Sequence, residues 1–534
     1  MPEGGSEGLS RRHFLGGLGT ATGILFTTLT PPARAEVITP VSVPQRRNLA
    51  YKVCVEAARI ERATPPVPHP TSVDDELYSN HIGSFSKGLP HNDLGEVDPA
   101  AYQAMIDALK SGSPTSFEAI PLGGSLKLAN PQLAYRYSLE GQDGWNLTLP
   151  RAFSFSSEPQ AGEVVELYWQ ALLRDVPFAD YPNHSLAQQA VEDLQRFSIF
   201  QDLTIETLFR GNTSGERIGP YVSQFLFKDV PYGARPTNQR CRVTAAGVDF
   251  MTDYAEWLQI QRGFAPTTSA AFEPDLYYLY NGRALGEYVH RDFLYQAGLD
   301  AGLILLSYGP AALDAANPYL SSVTQSGFGT FGSAHILDLL SRVANTALMA
   351  CWYQKWLVHR RLRPEAFGGH LHNFLIGSAS YRFNDKLLQS PVLAEINLQH
   401  GTYLLPQAYP EGCPAHPSYP AGHAAFAGAS CTVLKAFFNE AFTLPDPVQP
   451  TVDGLSLEAY TGEVLTIGGE LDKLAANVTI GRSLAGIHYR SDALSGLKLG
   501  EDVAITILRD LKLTYNESFS GFSLTRFDGT QITI

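Results

Sequence analysis

The residues best suited to chemistry begin with a cluster of positive charge at residues 351–369, CWYQKWLVHRRLRPEAFGG. On one helix, Lys355 and Arg363 would lie roughly 80° apart around the axis and about 12 Å apart along it. Pro364 would end that helix beside Arg363. The pair could therefore converge on one oxyanion, with bidentate N–H groups from arginine and a point charge from lysine. A solvated basic helix face is the alternative. The five basic side chains in this cluster are Lys355, His359, Arg360, Arg361 and Arg363.

A second stretch, residues 409–425, reads YPEGCPAHPSYPAGHAA and holds four prolines before a Gly-His pair. Each proline disfavours helix in the residue before it, whereas the small residues after His423 predict a helix. Gly422 and His423 would then stand at a helix N-terminus, where unpaired N–H groups attract anions. Gly422 allows a close approach of a ligand, and His423 can move protons near neutral pH. A plain helix cap is the alternative.

The third stretch, residues 476–496, reads ANVTIGRSLAGIHYRSDALSG. Arg482 and His488 would face about 120° apart on a continuous helix, but Gly486 offers a break that could re-aim His488. Asp492 follows four residues after His488, where a carboxylate could fix the tautomer of a ligand histidine and raise its basicity. A helix-turn-helix with surface charges is the alternative.

The elements that must position these residues are helices. From about residue 163 onward, apolar residues recur at three- and four-residue spacing, and β-rich runs are few. The pattern predicts a mainly α protein, a helical bundle with ligand sites in its core. We predict an irregular, Pro-rich wrapping region at 36–160, with a small β element at 135–150. A helical-bundle domain would fill 161–534 and carry the site within 350–495.

Charge and cysteine usage exclude several classes of function. The formal net charge of −14 argues against nucleic acid and against an anionic membrane surface. The five cysteines form no CxxC or Cys/His pattern, so we expect no zinc site. Their odd number leaves at least one without an intrachain partner, and one or two disulfides remain possible. Beyond the N-terminus no apolar run is long enough to span a membrane.

The N-terminus resembles an export signal. A twin-arginine pattern, SRRHFL at residues 10–15, precedes a largely apolar run at 14–29 and an Ala-x-Ala sequence at 33–35. These features predict a twin-arginine signal peptide over residues 1–35 and a periplasmic or extracellular mature chain. A disordered tail with chance arginines is the alternative.

Taken together and in this order, K-x7-R-P, P-A-G-H and G-R-x5-H-x3-D resemble the vanadium-dependent haloperoxidases. These enzymes share their anion pocket with acid and lipid phosphatases. The longer matches KWLVHRRLRPEAFGG, YPEGCPAHPSYPAGHA and AGIHYRSD look most like the algal-type bromoperoxidases. The resemblance covers roughly residues 270–510. It implies a helical bundle of the acid phosphatase/vanadium haloperoxidase type with minor β elements, and vanadate as the cofactor.

The resemblance also implies roles for particular residues in holding the cofactor. His488 would bind vanadium through a ring nitrogen, and Trp352 would line the pocket. The equatorial vanadate oxygens would be held by four groups: the side chains of Lys355, Arg363 and Arg482, and the backbone N–H of Gly422.

The resemblance implies roles for three further residues, in proton transfer, in support of a cofactor-binding arginine and in halide preference. By the same resemblance, His423 would be the acid–base histidine that takes a proton from hydrogen peroxide. Asp292, in YVHRDFLYQAG, would support Arg482. His416 occupies the position where bromoperoxidases carry His and chloroperoxidases carry Phe, which favours bromide or iodide.

Ala421 departs from the family pattern. The family usually has P-S-G-H, whose serine hydroxyl would donate to a vanadate oxygen, and this chain has P-A-G-H. Loss of one hydrogen bond to a charged group costs about 1.5–3 kcal/mol if nothing replaces it. No charged anchor is lost, so the predicted chemistry stays the same while affinity or turnover falls.

The resemblance implies an enzyme that oxidises bromide or iodide with hydrogen peroxide to a hypohalous-acid equivalent, which then halogenates small organic substrates. By analogy we also expect a homo-oligomer. Two alternatives stay open. One is a secreted phosphatase in which His488 is the nucleophile and His423 protonates the leaving group. The other is a vanadate- or phosphate-binding protein without catalysis.

Overall fold

The computed structural model describes residues 42–534. The predicted signal peptide lies outside the described residues. The chain divides into two compact units, of which the first ends at Lys52 and the second is Val53–Ile534. Helix α1 begins in the first unit and ends in the second. Everything that follows belongs to the second unit.

The structure is mainly α, as the sequence predicts. The helices are α1 (Val43–Ala63), α2 (Asp74–Leu77), α3 (Pro99–Ser111), α4 (Pro114–Glu118), α5 (Glu158–Leu172), α6 (Ser185–Leu194), α7 (Tyr254–Gln261), α8 (Gly282–Arg291), α9 (Gln296–Ser307), α10 (Ser333–Tyr353), α11 (Pro364–Leu375), α12 (Asp385–Leu388), α13 (Val392–His400), α14 (Gly422–Phe437), α15 (Ile467–Leu484) and α16 (Arg490–Lys512).

The strands are short and pair only as antiparallel two-stranded hairpins or ribbons. They are β1 (Val230–Tyr232) with β2 (Arg235–Thr237), β3 (Cys241–Thr244) with β4 (Phe272–Tyr277), β5 (Val448–Pro450) with β6 (Leu457–Ala459), and β7 (Ser523–Thr525) with β8 (Gln531–Thr533). The β element expected at 135–150 is wrong. That segment holds a 3-10 turn, Gly144–Asn146, and no strand. Its alternating residues are interrupted by a glycine in the left-handed region, Gly141 at φ 65°.

Helix α14 lies at the centre of the bundle and packs against α10, α15 and α16. All of its residues except His423 are buried. Its backbone comes so close to α16 that glycine is required on both helices. A Cβ on Gly428 would lie 2.5 Å from the carbonyl oxygen of Leu497, and one on Gly500 would lie 1.9 Å from that of Ala425. The small residues that predicted this helix therefore serve close helix packing.

The structure bears on the expected disulfides and on the expected absence of a membrane-spanning helix. All five cysteines fall in the described range and none is paired, so the possible disulfides are not formed. Within residues 42–534 no helix combines the length and apolar character needed to cross a bilayer.

Candidate active site

The basic stretch does not form the single helix that its spacing suggested. α10 widens into a π-helical turn at Gln354–His359, and Arg360 takes a left-handed conformation at φ 45°. Pro364 does not end this helix. It begins α11, where its missing N–H costs nothing, and Arg363 is the N-cap residue. The expectation was wrong because proline is tolerated in the first turn of a helix as readily as it ends one.

With this local backbone, the side chains of Lys355 and Arg363 are buried in the protein. Lys355 is fully buried and Arg363 is only 1% exposed, so the solvated basic face is excluded for both. Lys355 Nζ donates to the carbonyl oxygens of Pro417 and Ser418, both at 2.8 Å. Two of its three N–H groups are thus taken and one remains. Burial first, and then the nearby Arg363 and Arg482 charges, lower the pKa of Lys355 to about 7.

The guanidinium of Arg363 contacts both His416 and His488. Its Nε donates to the carbonyl oxygen of His416 (2.8 Å) and its Nη2 donates to His416 Nδ1 (2.9 Å). Its Nη1 donates to the carbonyl oxygen of Ile487 and to His488 Nε2, both at 3.0 Å. A guanidinium has five N–H groups and cannot accept. Four of these groups therefore have partners and one stays free. Each arm also lies near the second nitrogen of its ring, with Nη1 3.5 Å from His488 Nδ1 and Nη2 3.4 Å from His416 Nε2, so the tautomers are set by the other contacts of the rings.

The break at Gly486 occurs as the sequence predicts, with φ 83° just after the end of α15. His488 therefore lies in the turn between α15 and α16. Its Nδ1 lies 2.9 Å from Asp492 Oδ2 and donates to it, which leaves Nε2 as the nitrogen with the lone pair. Burial, followed by the Arg363 charge, holds the pKa of His488 well below 6.5. The ring is thus a neutral ligand with its free nitrogen fixed.

A network that the sequence analysis missed holds Asp492. Arg361 donates to Asp492 Oδ1 (2.7 Å) with one arm and to Glu163 (2.8 Å) with the other. Ser418 and the backbone N–H of Tyr489 both donate to Asp492 Oδ2. Burial raises the pKa of Asp492, but Arg361 and His488 outweigh it and hold that pKa well below its usual value. Of these residues, only Asp492 could be predicted from the sequence, by its spacing from His488. Glu163 lies on α5, more than 300 residues earlier in the chain.

Helix α14 begins at Gly422, as predicted. The first N–H groups of a helix have no intrahelical acceptor, and Ala421, the N-cap residue, supplies no side-chain cap. A Cβ on Gly422 would lie 3.4 Å from Trp352 Cζ3, so the indole ring passes close over this helix end. The helix terminus thus offers unpaired donors beside an aromatic wall.

His423 is the one residue of α14 that is not buried, with 23% of its side chain exposed. Its Nε2 donates to Asp292 Oδ1 at 3.0 Å. Burial lowers the pKa of His423 and Arg482 lowers it further, while Asp292 only partly opposes them. Neutral His423 with Nε2 protonated has its other nitrogen, Nδ1, available to accept a proton.

The expected contact between Asp292 and Arg482 is not formed. Over the described chain these two residues share no ion pair, and Asp292 instead contacts His423. Helix α8 ends at Arg291 and α9 begins at Gln296, so the chain breaks between them. Asp292 is the C-cap residue in that break, with extended backbone, and its carboxylate turns to α14.

Arg482 keeps most of its hydrogen-bonding capacity. Its Nη1 donates to the carbonyl oxygen of Val289 at 2.9 Å, and its buried Nε has no partner among the described residues. Its guanidinium carbon lies 5.5 Å from the centroid of the Tyr409 ring. A buried N–H without a partner is costly unless a ligand satisfies it.

These groups surround one cavity of about 300 Å³. It is lined by Asp292, Leu294, Leu348, Trp352, Pro414, His416, Gly422, His423, Phe426, Arg482 and His488. Unused donors of Arg482 and the α14 terminus border it, together with the ring of His488. Lys355 and Arg363 are not among the lining residues. Arg363 contacts the rings of His416 and His488, and Lys355 donates to the carbonyl oxygens of Pro417 and Ser418. A larger cavity of about 700 Å³ near β1 and β2 contains none of these residues.

The donor set fits a small tetrahedral oxyanion. Among the described residues, the contacts of Lys355, Arg363 and Arg482 are backbone carbonyls, histidine nitrogens and the rings of Trp352 and Tyr409. The unpartnered Nε of Arg482 marks a group still to be satisfied. A neutral imidazole nitrogen adds a ligand suited to a metal centre. The sequence-predicted residues Lys355, Arg363, His416, Gly422, His423, Arg482 and His488 are thus brought together, with Trp352 beside them.

Comparison with known proteins gives relatives along nearly the whole chain. A vanadium-dependent bromoperoxidase of Ascophyllum nodosum is 36% identical over 531 residues, covering 93% of each chain. A vanadium-dependent bromoperoxidase of Corallina officinalis is 33% identical, covering 92% of this chain and 99% of the relative. A family model described as the VCPO second helical-bundle domain matches residues 335–517.

A solved structure agrees with these matches. The homohexameric structure of the second vanadate-dependent bromoperoxidase from Ascophyllum nodosum superposes with a TM-score of 0.86 at 29% sequence identity. The superposition covers 96% of this chain and 94% of the other.

Proposed function

This chain belongs to the family of vanadium-dependent bromoperoxidases, and from that premise we propose that it binds vanadate beside His488 and oxidises bromide or iodide with hydrogen peroxide. The product is a hypohalous-acid equivalent that halogenates small organic substrates. The observation that carries the assignment of the site is the fixed tautomer of His488. His488 lines the same cavity as Arg482, whose buried Nε has no partner among the described residues.

Bound vanadate supplies a Lewis-acidic metal in its highest oxidation state, which activates peroxide toward attack by halide. The protein's part is to hold and neutralise this anion. His488 Nε2 is the metal ligand, and the positive charges of Lys355, Arg363 and Arg482 offset the negative oxygens. The first N–H groups of α14, beginning with Gly422, add donors at the positive end of the helix dipole.

His423 moves the proton. Because its Nε2–H donates to Asp292, Nδ1 is the atom that accepts a proton from hydrogen peroxide and later returns it. The lowered pKa of His423 keeps the ring neutral, and thus able to act as a base, at pH 7. Asp292 fixes the ring and stabilises the imidazolium that forms.

His416 completes the halide side of the cavity. Its ring lies 4.7 Å from the Trp352 ring, and Arg363 donates to its Nδ1. Burial and then the Arg363 charge hold the pKa of His416 well below 6.5, so the ring is neutral. It thus offers a neutral donor in place of an apolar ring, in keeping with bromide or iodide as the substrate.

The experiment that tests the proposal compares two reactions of the vanadate-free protein. We expect bromination of a phenolic dye with peroxide and bromide when vanadate is added, and no hydrolysis of phosphate esters. Hydrolysis that vanadate inhibits, without bromination, would instead place the chain among the phosphatases. Vanadate binding with neither reaction would make it an oxyanion-binding protein.

We further propose assembly and export. The homohexameric relative supports a homo-oligomer, which light scattering of the purified chain would detect as a mass several times that of one subunit. The twin-arginine pattern supports export, which suits an enzyme with a corrosive product. Replacing Arg11 and Arg12 with lysine is expected to retain the chain in the cytoplasm. Export of that variant would contradict the signal.

A further inference from the structure

Within residues 42–534, no carboxylate pairs with the buried guanidinium of Arg482. Its polar contact is one hydrogen bond to the carbonyl oxygen of Val289, and its other neighbour of note is the Tyr409 ring, 5.5 Å from the guanidinium carbon. A cation over an aromatic face is attracted by the ring quadrupole, most strongly where water is excluded. The ring is therefore the feature that can set where this guanidinium lies without consuming its N–H groups.

Tyr409 is itself held firmly. Its side chain is 1% exposed, and its hydroxyl donates to the carbonyl oxygen of Gly286. The His290 ring stacks on it with centroids 3.7 Å apart and planes 8° from parallel. Burial raises the pKa of Tyr409, so the phenol stays neutral at all working pH values.

His290 is fixed in turn by two carboxylates. Its Nε2 lies 2.6 Å from Glu411 Oε1, and its Nδ1 lies 3.3 Å from Glu287 Oε2. Burial lowers the pKa of His290, but the hydrogen bonds to Glu287 and Glu411 outweigh it, so the pKa is raised. Glu287 is also approached by two exposed guanidinium groups, those of Arg291 at 3.4 Å and Arg242 at 3.9 Å.

We propose that Tyr409 is the positioning residue for Arg482. The Tyr409 ring, braced by His290, holds the guanidinium with its free N–H groups toward the cavity, where they meet an oxyanion. A carboxylate in the same place would neutralise the guanidinium and occupy two of its donors. An aromatic face positions the cation and leaves both its charge and its donors for the ligand. This inference rests on the proposed function, since it takes vanadate as the anion that Arg482 meets.

The test measures vanadate affinity of the vanadate-free protein by calorimetry, which requires no turnover. Tyr409→Leu removes the ring face and is expected to raise the Kd about tenfold. Tyr409→Phe keeps the ring and loses only the hydroxyl, so its Kd should stay within about twofold of the wild type. If Tyr409→Leu weakens vanadate binding and Tyr409→Phe does not, the effect on the Kd comes from the aromatic ring.

A double-mutant cycle separates positioning from general damage. In an Arg482→Ala background, Tyr409→Leu should change the Kd no further, because the group it positions is gone. An equal rise in Kd with and without Arg482 would overturn the proposal. If Tyr409→Leu does not fold, His290→Ala takes its place in the same cycle. His290→Ala should raise the Kd about threefold only when Arg482 is present.

Failure of the proposed role of Tyr409 can be distinguished from failure of the proposed function. Wild-type protein that binds vanadate but does not brominate would refute the function, yet the cycle would still decide the role of Tyr409. If wild-type protein binds no vanadate, the function fails and the same cycle is run with inorganic phosphate, which has the same shape.

Discussion

Asp492 Oδ2 lies 2.9 Å from His488 Nδ1, while Arg363 Nη1 comes nearest to the other ring nitrogen, Nε2, at 3.0 Å. Because Asp492 accepts the Nδ1 proton, the lone pair stays on Nε2. Arg361 and Ser418 hold Asp492 so that it cannot turn away. One carboxylate thus decides which nitrogen of the ring can bind the metal.

Asp492→Asn is therefore expected to weaken vanadate binding about 10- to 100-fold, the usual cost of losing such a partner of a metal ligand. Calorimetry of vanadate-free protein would measure it. Glu163→Gln is the matched control, because it breaks the other arm of Arg361 without touching His488. Both variants should lower the thermal midpoint, but only Asp492→Asn should change the Kd strongly. Equal Kd values for both would contradict the tautomer argument.

Asp292→Asn tests where Asp292 acts. Because Asp292 contacts His423 rather than Arg482, the variant should lower kcat by about 100-fold, within the range for acid–base catalysis. Its Kd for vanadate should stay within about threefold of the wild type. A large rise in Kd with kcat retained would show that Asp292 works through Arg482 after all.

Lys355 should take up a proton when an anion binds. Its pKa of about 7 is lowered by burial and by neighbouring positive charge, and a bound oxyanion favours the charged form and raises that pKa again. Above pH 7 the free protein holds Lys355 mostly neutral, so binding takes up about one proton at pH 8 and almost none below pH 6. Affinity should accordingly fall as pH rises through 7.

Calorimetry in buffers of different ionisation enthalpy counts these protons. Lys355→Arg is the control, since arginine stays charged throughout, and it also corrects for protons carried by vanadate itself. The same proton count for wild type and Lys355→Arg would rule out Lys355 as the source.

Ala421→Ser restores the hydroxyl that the family pattern carries. Ala421 is the buried N-cap residue of α14, so a serine hydroxyl there can reach either the anion or the first N–H groups of the helix. We expect it to reach the anion and to tighten vanadate binding at least about tenfold. An unchanged Kd with stability raised by about 1 kcal/mol would show instead that the hydroxyl caps the helix.

Local features of the site could be predicted from the sequence because they depend on nearby residues. The start of α14 at Gly422 follows from the prolines before it and the small residues after it. The turn at Gly486 and the contact of His488 with Asp492 lie within seven residues of each other.

Contacts between distant elements could not be predicted in this way. The partner of Asp292 depends on the break between α8 and α9, at which its carboxylate contacts His423 of α14. The stack of His290 on Tyr409 joins residues more than a hundred positions apart. The π-helical turn at Lys355 likewise reflects packing of the buried cations and not local propensity.

The most direct test of the whole account is the rate of bromide oxidation by vanadate-free protein as vanadate is added, in wild type and in His488→Ala. We predict that wild-type activity is absent without vanadate, rises to saturation at one vanadate per chain, and is lost in His488→Ala while the variant stays folded. Activity that needs no vanadate, or that survives in His488→Ala, would contradict the assignment of His488 as the metal ligand.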